Sequence, residues 1–290
     1  MTIPFDPVAW KLAHGRELTL GPAGLLMAII NVTPDSFSDG GLNIEASNAI
    51  ENAFRAIDEG AAIVDIGGES TRPGAAEVTA EQEQARVLPV IEALATRTDA
   101  LISIDTYRAS TAERAIAAGA HIVNDVHGLQ RDPDLAGVVA ARRAGVCIMH
   151  TGRGRQKLAD AIEDQLFFLG QSLEIARAAG VKDDAIVLDP GFGFNKETPA
   201  DNLELLARFG ELHSLGLPLV AGTSRKRFLG SVTGRDPADR DVATAATTAL
   251  LRRLGAAIFR VHNVAINRDA LAVADAILKI EWELAGRSGK

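Results

Sequence analysis

Eight short apolar runs at near-even spacing constrain this chain more than any other feature: residues 25–31, 61–67, 101–105, 121–125, 146–150, 186–189, 217–222 and 257–262. They are near-continuous Val, Ile, Leu and Ala rather than alternating, as parallel strands covered on both faces are. Helical patterns with start and stop signals separate them. Ile50, Phe54 and Ile57 share one face of the first helix, which Gly60 stops. Thr79 with Gln82 has the form of a capping box for the second, and Pro89 is expected to kink that helix or end it early. Ser110 with Glu113 caps the third; Asp132-Pro133 starts the fourth and Gly145 stops it. Ile162, Leu166, Leu169 and Leu173 line the fifth, which Gly180 ends, and Thr198-Pro199 opens the sixth. The seventh is split into a short piece after Ser224 and a helix from about Asp236 to Arg253. The eighth runs from about Arg268 to Glu283.

Eight strand–helix units over about 250 residues predict one α/β domain, a (β/α)8 TIM barrel spanning 25–285. Residues 1–24, with Glu17–Leu20 as a strand after a turn at Gly15, read as a short N-terminal β-hairpin of the same domain that plugs one end. A doubly wound open sheet is the competitor. It seldom has eight such even units, and no Gly-x-Gly-x-x-Gly follows the first strand. A net charge of −8 argues against a general nucleic-acid or anionic-membrane surface. No apolar stretch reaches membrane-spanning length and no signal-peptide core is present. The lone Cys147, inside an apolar run, excludes a disulfide framework and reads as inert packing. A cytoplasmic setting and small-molecule partners are the expectation.

In such a barrel the strand ends converge on one mouth. Here they carry Asn31, Glu69-Ser70-Thr71-Arg72, Asp105-Thr106, Asn124-Asp125, His150, Asp189, Ser224-Arg225-Lys226, and Arg260 with His262. Asp105, Asn124 and Asp189 would form an acidic floor, and Arg72, Lys226, Arg260 and His262 a cationic rim. That mixture suits a ligand with a hydrogen-bond-donating heterocycle at one end and an anion at the other, since a carboxylate accepts two N–H groups of an aminopyrimidine at once. Asn31 and the loop acids could hold Mg²⁺, which takes few protein oxygens and fills its shell with substrate phosphates. Without further signals, Lys226 could be a solvated helix start or a Schiff-base lysine. Thr33-Pro34-Asp35 could be a plain turn. His150 reads as a satisfied core histidine, and one of Phe192 and Phe194 as a ring that stacks on a ligand.

Seven stretches settle among these readings: Ile30–Gly41, Asp65–Gly74, Ile104–Thr106, Asn124–Val126, Leu188–Phe194, Gly222–Arg227 and Arg260–His262. Together, in order and at similar spacing over 25–265, they resemble dihydropteroate synthases. The resemblance implies the barrel fold and a Mg²⁺-dependent transferase of folate biosynthesis, a sulfonamide target. Such an enzyme joins p-aminobenzoate to 6-hydroxymethyl-7,8-dihydropterin pyrophosphate, giving 7,8-dihydropteroate and pyrophosphate. It further implies that Asp105, Asn124 and Asp189 meet the pterin edge, that Lys226 beside Gly222 contacts the pterin and reaches toward the aminobenzoate, and that Asn31 is the metal ligand. Thr71 and Arg72 would lie in a mobile loop, Arg260 and His262 at the pyrophosphate, and Pro73 and Phe194 along the aminobenzoate slot. A homodimer through barrel helices is implied as well.

Three departures stand out. Met149-His150-Thr151 is followed by Gly-Arg-Gly-Arg where the family commonly shows Met-His-Met. Arg260-Val-His262 is followed by Asn263 rather than Asp. Arg227 stands where some relatives carry Ser. The rivals are a pterin-binding methyltransferase domain, which lacks the Thr33–Ser38 loop and the Ser224–Arg227 stretch, and a non-catalytic pterin-binding module, which should have lost Lys226, Asn31 or a floor acid.

Overall fold

The chain opens with an antiparallel hairpin, β1 (Val8–Lys11) and β2 (Glu17–Leu20). The computed structural model describes residues 5–33, 41–70, 76–196 and 198–288, with the backbone alone at 41–44 and 285–288. Eight parallel strands alternate with helices behind the hairpin. In chain order they are β3 (Leu25–Asn31), α1 (Gly41–Asp58), β4 (Ile63–Gly67), α2 (Ala80–Ala95), β5 (Leu101–Asp105), α3 (Ala109–Ala117), β6 (Ile122–Asp125) and α4 (Leu135–Arg142). There follow β7 (Gly145–Met149), α5 (Ala161–Ala178), β8 (Ile186–Asp189), α6 (Pro199–Ala207), β9 (Val220–Ala221), α7 (Arg227–Thr233), α8 (Asp241–Arg253), β10 (Ile258–Val261) and α9 (Val264–Ser288).

The strands pair in the order β8-β7-β6-β5-β4-β3-β10-β9. A parallel bridge between Leu188 and Leu219, with the Leu188 N–H on the Pro218 carbonyl at 2.9 Å, brings β8 back to β9 and closes the barrel. The run 217–222 yields only a two-residue strand, and Pro218 has no N–H to give a ladder there.

Period-2 alternation then assigns the inner face. Met27, Ile63, Leu101, Ile122, Cys147, Val187, Val220 and Ile258 form one apolar layer, on which Trp10, Leu12 and Leu20 of the hairpin segment sit. The hairpin is therefore a plug under the barrel, and the Trp10 indole N–H is satisfied by the Ala185 carbonyl at 2.9 Å. One step further along each strand come Ile29, Asp65, Ser103, Asn124, Met149, Asp189, Gly222 and Arg260. The same alternation that builds an apolar bottom delivers polar groups to the top. The outer faces of the strands pack on the helices in a second, larger apolar cluster.

Local signals held in part. Thr79 and Gln82 exchange both capping-box hydrogen bonds, and Thr198 with Asp201 does the same for α6. α1 buries Ala49, Ala53 and Ala56 most deeply, with Ile50, Phe54 and Ile57 beside them. Pro89 neither ends α2 nor interrupts it. It lies on the exposed side, and the carbonyl it leaves unpaired belongs to Ala85, also exposed, where water can serve it. α3 starts one residue before Ser110, and its Ala109 N–H is capped by Asp132, 23 residues on, at 2.8 Å. α4 begins after Asp134, and Arg143, at φ 50°, makes its left-handed stop; Gly145 already belongs to β7.

Candidate active site

The floor at the C-terminal end of the barrel is an ion network rather than a row of acids. Arg260, inward on β10, reaches across the mouth. Its Nε donates to Asp65 Oδ2 and its Nη2 to Asp105 Oδ2, each at 2.6 Å. Asn124 Nδ2 donates to the same Asp65 oxygen at 3.0 Å. Asp65 is fully buried, and among the described residues its Oδ1 has no hydrogen-bond partner. Arg260 therefore belongs to the floor and not to the expected cationic rim. The reason is register: an inward residue of β10 faces the barrel axis, where the unpaired carboxylates of β4 and β5 are within reach. Burial tends to lower the Arg260 guanidinium, but the facing Asp65 and Asp105 carboxylates hold it above its ordinary range.

Asp189 ends β8. Its Oδ1 accepts the Gly191 N–H at 2.7 Å, and a Cβ on Gly222 would stand 3.4 Å from its Oδ2. The bare Gly222 backbone thus leaves that oxygen open to the mouth. Burial raises both floor acids: Asp105 to about 7 against the pull of Arg260, and Asp189 in the same direction against the Gly191 N–H and Lys226.

The walls are Val126, Met149 and Phe194, packed together. They line one pocket with Asp105, Asn124, Asp189, Gly222, Lys226 and Arg260. Lys226, just ahead of α7, lies over the Phe194 ring with Nζ 4.3 Å from its centroid, and Arg153 lies 4.6 Å from it. Burial lowers Lys226 to about 8, opposed by Asp189. The two phenylalanines separate clearly. Both line the pocket, but Phe192 is wholly buried and stacked with Phe209 and Phe228, while Phe194 meets Lys226 and Arg153.

The remaining strand-end residues divide. His262 is neutral at pH 7, with burial lowering it to about 4. The Ser224 hydroxyl oxygen accepts the His262 main-chain N–H at 3.1 Å and lies 2.9 Å from the ring Nδ1, which fixes the ring. A rim cation is thus a neutral donor. Asp125 accepts the N–H groups of His127 and Leu129 and holds a loop. Glu69 pairs with Arg108, and Arg225 with Asp241 at 2.7 Å. Asn263 donates to the same Asp241 and accepts the Ile266 N–H, so the departure from Asp still serves as a helix-start acceptor. Of the Gly-Arg-Gly-Arg stretch, Arg155 grips Asp164 through two nitrogens. His150 bonds to Asp164 at 2.9 Å and is the satisfied core histidine expected. Thr71, Arg72, Pro73 and the loop acids of 34–40 lie outside the described residues.

Asn31 ends β3, exposed. Its Oδ1 and Asp105 Oδ2 would lie 3.9 and 3.8 Å from a Cβ on Gly67, so both oxygens flank one bare piece of backbone. Among the described residues no cluster of three His, Cys, Asp or Glu could hold a metal. That donor set suits an ion that takes few protein oxygens, as Mg²⁺ does, and not a closed structural site.

Two residues here escaped the sequence reading. Asp65 precedes its strand end by two; the inward alternation marks it, as does its place at the head of the stretch Asp65–Gly74. Lys196, two residues past Phe194, is drawn into the turn after β8: its Nζ donates to the Gly191 carbonyl at 2.7 Å and lies 3.3 Å from His150 Nδ1. Burial lowers it to about 7, and in either protonation state the nitrogen keeps a hydrogen for that carbonyl.

A family model described as pterin binding enzyme matches residues 27–262. The dihydropteroate synthase of Bacillus subtilis is 44% identical over 254 residues, covering 88% of each chain. The solved dihydropteroate synthase of Xanthomonas albilineans with 4-aminobenzoic acid superposes with a TM-score of 0.87 at 41% identity, covering 93% of this chain and 99% of that one. The Yersinia pestis dihydropteroate synthase in complex with a sulfonamide drug gives 0.84 at 39% identity, covering 92% and 98%.

Proposed function

This chain belongs to the dihydropteroate synthase family of pterin-binding enzymes, and from that premise we propose how its barrel mouth couples p-aminobenzoate to 6-hydroxymethyl-7,8-dihydropterin pyrophosphate. The observation that carries the reading is the convergence of Asp105, Asn124, Asp189, Lys226 and Arg260 on one pocket beneath Phe194. Asp189, with one oxygen held by Gly191 and the other open, accepts N–H groups of the aminopyrimidine edge, and Asn124 completes that edge by donating and accepting. Met149 and Val126 cover the ring and keep water from it.

As the C–O bond to pyrophosphate breaks, positive charge spreads from the methylene into the pterin, and the buried Asp105 and Asp189 stabilise it there. The neutral arylamine forms the C–N bond from the Phe194 side and releases its proton to solvent or pyrophosphate, so no strong base is needed. Lys226, between Phe194 and Asp189, holds the pterin and directs the amine; His262 stays neutral and donates a hydrogen bond to the leaving oxyanion, and Arg72 adds charge. Asn31 would hold Mg²⁺, which neutralises departing pyrophosphate when bound. Thr71, Pro73 and Phe194 border the aminobenzoate, where sulfonamides would compete with it.

The test is incubation with the pyrophosphate ester, labelled p-aminobenzoate and Mg²⁺. Coupled product with equimolar pyrophosphate, lost on chelation, is expected. No product from intact chain overturns the reading, and product undiminished by chelation removes the metal from it.

A homodimer accompanies this reading, in a cytoplasmic setting. Its support is a row of exposed apolar side chains on α8 and α9, which pack on one another: Val242 is 72% exposed, Leu250 54%, Val273 62% and Ile277 43%. Sedimentation should give twice the 30.6 kDa chain mass, and Ile277→Asp should give the single mass. A monomer at all concentrations ends the proposal.

A further inference from the structure

We propose that Lys196 is a positioning residue for the pterin end of the site: with His150 and Gln165 it fixes the turn after β8, so that the Gly191 N–H aims the Asp189 carboxylate. The inference rests on the reading of Asp189 given above.

The turn is sharp, and its sequence permits it: Gly191, Gly193 and Asn195 have φ of 63°, 79° and 55°, all left-handed, where glycine and asparagine are tolerated. It also lies tight against β7, since a Cβ on Gly191 would stand 2.0 Å from the His150 carbonyl oxygen. A glycine-rich path of this kind is permissive by itself, so its single conformation has to be set by neighbours. Three successive carbonyls are held from different directions. The Asp189 carbonyl takes the His150 N–H at 2.8 Å, the Pro190 carbonyl takes Gln165 Nε2 at 3.1 Å, and the Gly191 carbonyl takes both Lys196 Nζ at 2.7 Å and the Phe194 main-chain N–H at 3.1 Å. Gly191 is also the residue whose N–H grips Asp189 Oδ1. Lys196 and Asp189 thus hold opposite faces of one peptide-linked unit.

A buried ammonium is expensive unless its hydrogens are satisfied. The polar contacts of Lys196 are a carbonyl and an imidazole rather than a carboxylate. The imidazole is prepared for this. If His150 Nδ1 accepts from Lys196, the ring proton sits on Nε2, which is 2.9 Å from Asp164 Oδ2. The carboxylate there makes Nδ1 a better acceptor, as it does for metal-bound histidines. Arg155 bonds to both Asp164 oxygens and to the Thr151 and Gln156 carbonyls, and its Nη2 lies 2.8 Å from the same Nε2. A connected series of contacts therefore runs from α5 through His150 and Lys196 to the floor acid. An apolar side chain could fill the place of Lys196 without the desolvation cost, but it would leave the Gly191 carbonyl to the Phe194 N–H alone and would lose the tie to His150.

The experiment compares Lys196→Met, Lys196→Arg and Asp189→Ala in the full chain, by two-substrate kinetics, equilibrium binding of dihydropterin pyrophosphate, and thermal unfolding. Lys196→Met is expected to raise the KM and Kd for the pterin ester by about tenfold, the scale of one hydrogen bond to a charged group, with the KM for p-aminobenzoate unchanged and partial recovery in Lys196→Arg. A pterin constant within about twofold of the parent, as a neutral surface change gives, overturns the proposal. So does an equal rise in both KM values with no recovery by Arg. If Lys196→Met does not fold, Gln165→Leu frees only the Pro190 carbonyl and should raise the same constant by a smaller factor; no rise there overturns the proposal too. Asp189→Ala separates the two layers of argument. If it binds the pterin ester like the parent, the floor reading itself is wrong; if it loses binding while Lys196→Met keeps it, only the positioning role falls.

Discussion

The two ends of the barrel are built from the same strands, a single alternation step apart, and have opposite character. At the bottom, Trp10, Leu12 and Leu20 rest on a ring of Met, Ile, Leu, Cys and Val side chains, and the indole N–H is paired. At the top, the next inward residues are Asp65, Asn124, Asp189 and Arg260; Asp65 Oδ1 has no hydrogen-bond partner among the described residues, and burial pushes Asp105 and Asp189 up and Lys226 down. The bottom contributes stability from apolar burial. The top is costly, because charged groups are held out of water there. A site that must receive a polar bicyclic ring keeps unspent hydrogen-bonding capacity, and the plug at the other end offsets that cost.

Trp10→Ala tests the division most severely. It removes a fully buried side chain from the bottom layer, so unfolding free energy should fall by about 3–5 kcal/mol, while kcat of the enzyme that remains folded stays unchanged. Chemical denaturation with activity measured per folded chain checks it, and a parallel loss of kcat would mean that the ends are not independent. Lys226→Ala is the converse. It should cut kcat/KM by roughly a hundredfold or more, as loss of one preorganised charge does, and leave the melting temperature at or above that of the parent. In the parent, kcat/KM should decline above pH of about 8, where Lys226 loses its proton, and Lys226→Arg should move that limb upward. A flat alkaline profile would sever Lys226 from the rate.

The smallest effect concerns His121, beside the plug. Its Nδ1 accepts the Ile102 N–H at 3.1 Å, which requires the unprotonated ring, and burial lowers it to about 4. Between its ordinary value and about 4 the unfolded chain binds the proton that the folded chain refuses, so stability falls as pH drops through that window. His127, His150 and His262 are lowered likewise and share the slope. His121→Asn, which keeps an acceptor without a titration, should reduce the acid loss in denaturation midpoints taken from pH 7 to pH 4, by one group's share.

The sequence by itself determined the parts that depend on neighbours along the chain. Apolar runs marked the strands, since burial on both faces demands them, and 25–31, 101–105 and 186–189 coincide with β3, β5 and β8. Thr79-Gln82 and Thr198-Pro199 marked helix starts because capping is a bond across three residues. The strand-end polar residues of the floor were legible for the same reason, as were the hairpin and the family. Tertiary structure decided what depends on distance through space. Arg260 reads as a loop-side cation in sequence, yet it pairs with carboxylates 195 and 155 residues away. Asp132, and not Ser110, caps α3. Phe192 and Phe194 both reach the pocket, yet Phe192 stacks on Phe209 and Phe228 while Phe194 lies under Lys226. His262 reads as a cation and is neutral, and Lys196 gains its place only where the turn folds back on His150. Charge state and side-chain partner follow from burial and from which segments meet, and neither is encoded within a few residues of the group concerned.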